Sequence, residues 1–321
     1  MDSNLLGIYI PTYNRAGKLT ECLESFIRQL KKYNFPIYIS DNGSTDNTKE
    51  VVYNLKKRYN RIYYRRNIHN MGYAYNCKKV LLMGNTEFVW LFGDDDIIKH
   101  GAIDKIVKEL FIYEFLQINS EVFDESLKKI VKNKVIKVNK DIVYLPGSHE
   151  KVLSVLSNSG VDIGYMAEII TKRTFLLKEL SKIDDLRNMA FLHSILFYRA
   201  IVGKWGKLIS EPLIRYRRPP AQKISGGVKV WLIDYSIALS KLKGVYPIDC
   251  LIDAMEKQIN KLLPDIKRVF HFKIKKNGKT VKFLSILLII LPDLSIPLYR
   301  IFKKLFYLKS PLKNDVKVSP L

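Results

Sequence analysis

Apolar positions in the first hundred residues switch between two periods. Leu5 to Ile10 is a short apolar run closed by Pro11 and reads as a strand; Lys18 to Leu30 then places Leu19, Leu23, Phe26, Ile27 and Leu30 at helical spacing. Pro36 to Ser40 (PIYIS) predicts a second strand. Ser44-Thr45-Asp46 offers a helix start that Val51, Val52 and Leu55 continue, and Ile62 to Arg65 (IYYR) predicts a third strand. A helix containing Tyr73 to Leu82 precedes a fourth, Glu87 to Phe92 (EFVWLF). This βαβαβαβ order predicts an α/β fold with a parallel sheet covered by helices, in which ligands bind beyond the carboxyl ends of the strands.

The second half carries a weaker pattern. Glu121 to Val143 is charged and loosely alternating, which fits a hairpin or a lid loop. Lys151 to Leu156 and Phe175 to Leu180 suggest helices, and Ile209 to Tyr216 a strand that stops at Arg217-Arg218-Pro219-Pro220. Past that Pro pair, Val230 to Leu242 and Leu251 to Leu263 look helical, separated by Pro247. The expected division is one domain over residues 1–220 and a helical region over residues 221–321.

Charge changes this picture most at the C-terminus. The chain has 321 residues, 54 Lys+Arg against 31 Asp+Glu and a formal charge of +23, with 47% hydrophobic residues, a composition that folds rather than stays disordered. From Asp265 to Leu321 the sequence places thirteen Lys/Arg against three Asp/Glu. The same segment holds Phe283 to Pro292 (FLSILLIILP), Asp293, and Leu294 to Leu308 (LSIPLYRIFKKLFYL). An apolar run broken that early falls short of the ~20 residues a spanning helix needs, so the expectation is an in-plane anchor on an anionic membrane surface. A packed helix with a solvated basic face is the plainer reading. Nucleic acid is not the expected partner: Tyr63, Tyr64, Tyr73 and Tyr75 near Arg65 and Arg66 read as half-buried faces, with no recognition helix or RNA-binding signature beside them. Three scattered cysteines, Cys22, Cys77 and Cys250, point to a reducing, cytoplasmic compartment, and no signal peptide is expected from Met1-Asp2-Ser3-Asn4.

Candidate chemistry falls at the strand ends. Strand one ends in Pro11-Thr12-Tyr13-Asn14-Arg15, strand two in Asp41-Asn42-Gly43-Ser44-Thr45-Asp46, and strand four in Gly93-Asp94-Asp95-Asp96. Consecutive carboxylates after an apolar strand are costly to hold together unless a cation neutralises them, and all-oxygen donors suit Mg²⁺ or Mn²⁺. Each piece has a plainer reading, since Asp-Asn-Gly-Ser is good turn chemistry and Asp94 to Asp96 can cap a helix. That reading has to be used three times along one edge.

The motifs IPTYNR (Ile10 to Arg15), SDNGSTDNT (Ser40 to Thr48), NMGYAYN (Asn70 to Asn76) and FGDDD (Phe92 to Asp96) resemble, in order and spacing, those of family 2 glycosyltransferases with the GT-A fold. They cover about the first hundred residues. A weaker match, GKLISEPLIRYR (Gly206 to Arg217), resembles the end of the catalytic domain, and the FGDDD form is similar to the bacterial subgroup that includes abequosyltransferases of O-antigen assembly. The resemblance implies a Rossmann-like, mostly parallel sheet flanked by helices, with the catalytic domain in residues 1–220 and a basic, membrane-associating extension in residues 221–321. It also implies roles for single residues. Pro11, Thr12, Tyr13, Asn14 and Arg15 hold the nucleotide; Asp41 accepts the N3–H of uracil or thymine, favouring UDP or dTDP sugars. Gly72 lets the backbone approach the nucleotide, with Asn70 and Asn76 shaping that loop; the plainer readings are a helix-start turn for Gly72 and a solvent-facing position for Asn76. Asp94 faces the ribose or sugar, and Asp95, with Asp96 nearby, ligates a divalent metal (Mn²⁺ or Mg²⁺) bridging the phosphates.

The implied reaction is sugar transfer from a nucleoside diphosphate to an acceptor hydroxyl with inversion, assisted by a base. The expected setting is surface-polysaccharide synthesis on a polyprenyl-diphosphate-linked glycan at the cytoplasmic face of the membrane. Relatives carry a Glu-Asp pair roughly ten residues before a Gly that precedes the closing strand. Counting back from Gly203 reaches Phe191 and Leu192, so the pair is missing. His193 is the nearest titratable side chain, with Asp184 and Asp185 upstream, and these three are the candidate bases. A His among Phe191, Leu192, Ile195 and Leu196 is more often a satisfied core residue. The rival function is a GT-A-like protein that binds nucleotide or membrane without catalysis; a nucleotidyltransferase is weaker, because Pro11-Thr12-Tyr13-Asn14 is not a Gly-rich phosphate loop.

Overall fold

A computed structural model describes residues 2–160, 166–187, 189–218, 229–270 and 288–289. The chain divides into two compact units, Met1–Ala221 and Gln222–Leu321. In the first, the predicted alternation forms as β1 (Leu6–Thr12), α1 (Ala16–Leu30), β2 (Ile37–Asp41), α2 (Thr48–Arg58), β3 (Ile62–Arg66), α3 (Tyr73–Leu81) and β4 (Phe88–Leu91). A two-residue β5 (Ile97–Ile98), α4 (Ala102–Leu110), β6 (Phe115–Phe123), β7 (Ile130–Lys132), β8 (Ile142–Tyr144) and α5 (Glu150–Asn158) follow. A short 3-10 turn (Met166–Glu168), β9 (Ile169–Lys172), α6 (Arg173–Leu180), α7 (Leu192–Ala200) and β10 (Gly206–Arg217) complete the unit.

All ten strands join one sheet with the path β3-β2-β1-β4-β9-β6-β10-β5, β7 pairing β6 and β8 pairing β10. β1 to β4 are parallel; β9 runs antiparallel to both β4 and β6, so β6 and its parallel neighbour β10 point the same way as β1 to β4. Six strands therefore release their carboxyl ends along one edge. The sheet is mostly parallel, with β9 inserted against the grain and β5, β7 and β8 as short antiparallel additions.

Alternation along β1 sorts the two faces. Leu6, Ile8 and Ile10 pack with Leu19, Leu23, Phe26, Ile27 and Leu30 of α1 in one continuous core that also holds Val52 and Leu55 of α2 and Ile103 and Ile106 of α4. Phe26 meets Trp90 and Phe92 edge-on at 5.6 and 4.8 Å. Tyr9 faces the other way and opens a stack with Tyr38 (4.8 Å) that continues to Tyr63 (5.2 Å). Pro11 is tolerated inside β1 because β4 has stopped pairing there, its register ending at Tyr9↔Leu91.

Glu121 to Val143, expected as a hairpin or lid, is the end of β6 with its antiparallel partner β7, followed by β8. In the second unit a π-helical turn (Lys229–Asp234) leads into α8 (Tyr235–Ser240), and α9 spans Ile248–Phe270. Among the described residues no helix is long and apolar enough to cross a membrane. The apolar and basic stretches from Phe283 to Leu308, apart from Leu288 and Ile289, lie outside the described residues, as do Pro219 and Pro220.

β10 enters the sheet against a filled neighbour. A Cβ at Gly206 would collide with the Phe115 ring, which is fully buried and stacked on Tyr144 at 5.8 Å. Gly206→Ala is expected to destabilise the protein by about 1–3 kcal/mol, the usual cost of overpacking. Urea unfolding checks this, and an unchanged midpoint would mean that the ring moves aside at no cost.

Candidate active site

The three polar strand ends converge, and hydrogen bonds between distant segments hold them. Thr12, the last residue of β1, donates through Oγ1 to Asp94 Oδ2 at 2.7 Å. Arg15 donates to Asp94 Oδ1 at 3.0 Å and to Asp95 Oδ2 at 2.6 Å. Asp96 Oδ1 accepts the backbone N–H of Arg217 at 2.9 Å. The Gly93–Asp96 loop is fixed from behind as well, because β5 follows it directly and pairs with the end of β10 through Ile97↔Arg215 and Ile98↔Ile214.

Burial makes this cluster electrostatically costly. It pushes the Asp94 carboxyl up to about 6, with Arg15 opposing and Asp95 adding to the rise. Burial also drives Asp96 well above the usual carboxylate range, again with Asp95 adding. Two oxygens remain without a hydrogen-bond donor among the described residues, Asp95 Oδ1 and Asp96 Oδ2. Both lie close to Gly93, where an added Cβ would be 3.4 and 3.0 Å from them. This donor set fits a hard divalent cation held by one or two carboxylates and completed by substrate phosphates. It is not an all-protein cage: among the described residues no group of three or more His, Cys, Asp or Glu is arranged to hold a metal alone.

Beside the carboxylates the β1 and β2 loops are knitted together. Asn14, at φ 51°, accepts the N–H of Thr45 through its Oδ1 at 2.7 Å and donates its own N–H to Ser44 Oγ at 2.9 Å. Asp46 accepts from Ala16 N–H at 3.0 Å, from Thr48 N–H at 3.1 Å and from the Thr48 hydroxyl at 2.5 Å, so one side chain caps both α1 and α2. Tyr13 is exposed beside them.

The loop after β3 is fastened by asparagines. Asn42 donates to Asn70 Oδ1 at 2.7 Å and to the Gly72 carbonyl at 3.3 Å, while its own Oδ1 accepts Met71 N–H at 3.0 Å and Asn67 Nδ2 at 3.1 Å. Asn76 is buried, not solvent-facing as its plainer reading had it: it accepts the Ser40 hydroxyl at 2.7 Å and donates to the Ser40 carbonyl at 2.9 Å. Within the protein, a close backbone approach occurs at Gly43, where a Cβ would lie 2.8 Å from the His69 carbonyl carbon. Gly72 adopts φ 87° with open space on its Cβ side.

Asp41 is fully buried, and both its oxygens have partners: Ser44 N–H at 2.8 Å and the Tyr64 hydroxyl at 2.5 Å. His193 is buried at the start of α7, its Nδ1 2.6 Å from the hydroxyl of Tyr73, the residue after Gly72. Phe191 and Leu192, which stand where the resemblance places the Glu-Asp pair, are buried apolar residues. Asp184 and Asp185 lie on an exposed turn before α7, where Arg187 grips Asp185 at 2.8–3.0 Å. Sequence reasoning saw Asn42 only as part of a polar turn and gave no site role to Tyr64, Asn67 and Arg217; the one available signal for Arg217 was that the Gly206 to Arg217 strand, like the others, ends in charged residues.

Residues 7–168 match the family described as glycosyl transferase family 2. The chain belongs to this family. Its relatives include the abequosyltransferase RfbV of Salmonella typhimurium, 41% identical over 102 residues, which are 31% of this chain and 30% of the relative. Another is the GalNAc(5)-diNAcBac-PP-undecaprenol beta-1,3-glucosyltransferase of Campylobacter jejuni, 33% identical over 105 residues, 32% of this chain and 34% of the relative. The chain thus matches about a third of the length of these curated relatives. In fold it is similar to the crystal structure of S. aureus TarS 1-349, with a TM-score of 0.57, 14% identity and coverage of 97% of this chain and 93% of that one. The fold is that of a GT-A glycosyltransferase.

Asp46 gives a test of the loop architecture. Burial works to raise its pKa, but the Thr48 hydroxyl and the N–H groups of Ala16 and Thr48 outweigh that and hold it below the usual carboxylate range. A depressed folded pKa contributes stability above the unfolded value and loses it as pH falls through the folded one. Asp46→Ala is expected to cost about 1 kcal/mol at neutral pH. The difference from wild type should narrow below about pH 4. Urea titrations at pH 7 and 3.5 check this; equal differences at both would mean that the carboxylate charge plays no part.

Proposed function

We propose that this family 2 glycosyltransferase moves a sugar from a nucleoside diphosphate, UDP or dTDP, to an acceptor hydroxyl with inversion, in surface-polysaccharide synthesis on a lipid-linked glycan. The observation that carries this reading is the Gly93–Asp96 loop, where Asp95 Oδ1 and Asp96 Oδ2 lie together beside Gly93 while Thr12, Arg15 and Arg217 hold the remaining carboxylate oxygens. Support for the donor class comes from TarS, which has been crystallised in complex with UDP and with UDP-GlcNAc. Support for the acceptor class comes from the Campylobacter relative, whose name specifies an undecaprenol-linked substrate.

In this reading the β1 loop, Pro11 to Arg15, and the Gly72 turn hold the nucleotide, and Asp41 reads the base once Tyr64 releases it. Asp94 orients the ribose or sugar. Asp95 and Asp96 hold a divalent cation, Mn²⁺ or Mg²⁺, which when bound stabilises the charge of the departing diphosphate. The acceptor hydroxyl loses its proton to a base as its oxygen bonds the anomeric carbon. His193 is the first candidate because Tyr73 ties it to the Gly72 turn; Asp184 and Asp185 are the alternatives.

Apolar Phe191 and Leu192 where the resemblance places Glu-Asp favour a second reading, a nucleotide-binding protein without transferase activity. Thermal shift with nucleoside diphosphates, with and without Mn²⁺, tests what the two share, and sugar transfer separates them. A saturating UDP–Mn²⁺ pair at a hundredfold its Kd should stabilise the wild type by about 2.7 kcal/mol. Asp95→Ala should lose the Mn²⁺-dependent part. If the variant kept it, the cation assignment would be wrong.

The basic C-terminal segment belongs to the same proposal, holding the enzyme peripherally at the cytoplasmic membrane face where a lipid-linked acceptor arrives. Cationic side chains gain about 1 kcal/mol each near an anionic surface, and salt screens that part but not the apolar part. The full chain should co-sediment with anionic vesicles at low salt and less at high salt, and a 1–264 truncation should stay in the supernatant. Full-length protein left in the supernatant at low salt would refute the anchor.

A further inference from the structure

Arg217, the last residue of β10, is only 5% exposed, and each of the three nitrogens of its head donates a hydrogen bond. Its Nε donates to the carbonyl of Asp95 at 2.9 Å, Nη1 to the carbonyl of Glu125 at 2.6 Å and Nη2 to Glu21 Oε2 at 2.6 Å, while its backbone N–H holds Asp96 Oδ1. One side chain therefore ties the carboxylate loop to α1 and to the β6–β7 turn, where Lys18 of α1 also grips Glu125 at 2.5 Å. The stretches it joins lie far apart in sequence. The one local backbone bond on the Asp95–Asp96 peptide, from Asp96 N–H to the Gly93 carbonyl, is long at 3.5 Å.

A plain buried ion pair does not account for this arrangement. Glu21, its only carboxylate partner through the guanidinium among the described residues, has a side chain 52% exposed, which water would solvate equally well. Two of the three guanidinium bonds go to backbone carbonyls, and the backbone N–H and Nε together clasp the Asp95–Asp96 segment from behind. The two oxygens left open, Asp95 Oδ1 and Asp96 Oδ2, are not the atoms these contacts use and lie beside Gly93.

We propose that Arg217 is a positioning residue for the cation site: it sets the Asp95–Asp96 peptide so that Asp95 Oδ1 and Asp96 Oδ2 stand together beside Gly93, and braces that setting on Glu21 of α1. The inference rests on Asp95 and Asp96 being the cation ligands. A lysine cannot replace it, because a point-charge ammonium does not supply three donors in a planar fork.

The test is Mn²⁺ binding to the full chain, followed by the electron paramagnetic resonance of free Mn²⁺, beside metal-free UDP binding and thermal melting. Arg217→Lys and Arg217→Gln should raise the Mn²⁺ Kd by about 10-fold or more, the usual effect of losing a residue that orients metal ligands. Metal-free UDP affinity should stay within about twofold, because Arg217 touches the carboxylate loop and not the nucleotide loops. Glu21→Gln, which removes only the exposed brace and should fold whatever happens to the Arg217 variants, should weaken Mn²⁺ in the same direction by less. Wild-type Mn²⁺ affinity in both Arg217→Lys and Glu21→Gln, even with lower melting temperatures, would make Arg217 a packing residue and overturn the proposal. A wild type that binds no Mn²⁺ with or without UDP would overturn the cation reading first, and this inference with it.

Discussion

Three carboxylates at the end of one buried strand have to be kept folded, and much of the site follows from how that is done. Asp94 and Asp96 lie almost entirely out of water. Isolated charges there would cost several kcal/mol each, so each needs donors brought from elsewhere in the chain. Thr12 and Arg15 come from the first strand and its loop, Arg217 from the last strand, about two hundred residues later. The reversed strand β9 helps make this meeting possible: it fills the gap between β4 and β6 and leaves β10 running parallel to β1, so that both ends arrive at the same edge.

Much of this was legible from the sequence where the signals are local. Leu19 to Leu30 at helical spacing, the apolar runs before Pro11 and Asp41, and the turn chemistry of Ser44 to Asp46 each report within a few residues, and α1, β1, β2 and α2 form where they predict. β5 has two residues and no period to detect, and β9 gains its place through partners on β4 and β6 that are distant in sequence. The same limit applies in the site. Asp94 and Asp95 were visible as a cluster, but Tyr64 against Asp41 and Arg217 against Asp96 are pairings that only the folded sheet creates.

His193 illustrates the middle ground. Its apolar neighbours predicted a satisfied core residue, and burial with a Tyr73 partner agrees; yet that partner sits one residue after Gly72, in the loop family resemblance assigns to the nucleotide. Burial and proximity to the loop thus pull the interpretation of one imidazole in opposite directions. A pocket histidine that is both packed and hydrogen-bonded has a fixed orientation, which a proton acceptor needs, and little freedom to reach a new partner.

The asparagine fastening of the β3 loop has a chemical consequence of its own. Asn42 precedes Gly43, the pairing in which a side-chain amide is most easily lost as ammonia through attack by the following backbone nitrogen. Here both ends of that amide are occupied, by Asn70, Gly72, Met71 and Asn67, and the neighbouring glycine is pressed against His69. Were the reaction to occur, an NH₂ that now donates to two oxygens would become a carboxylate oxygen facing them. The latch would turn into a repulsion next to buried Asp41. The contacts that give this loop its shape thus also shield the Asn42–Gly43 bond from that reaction.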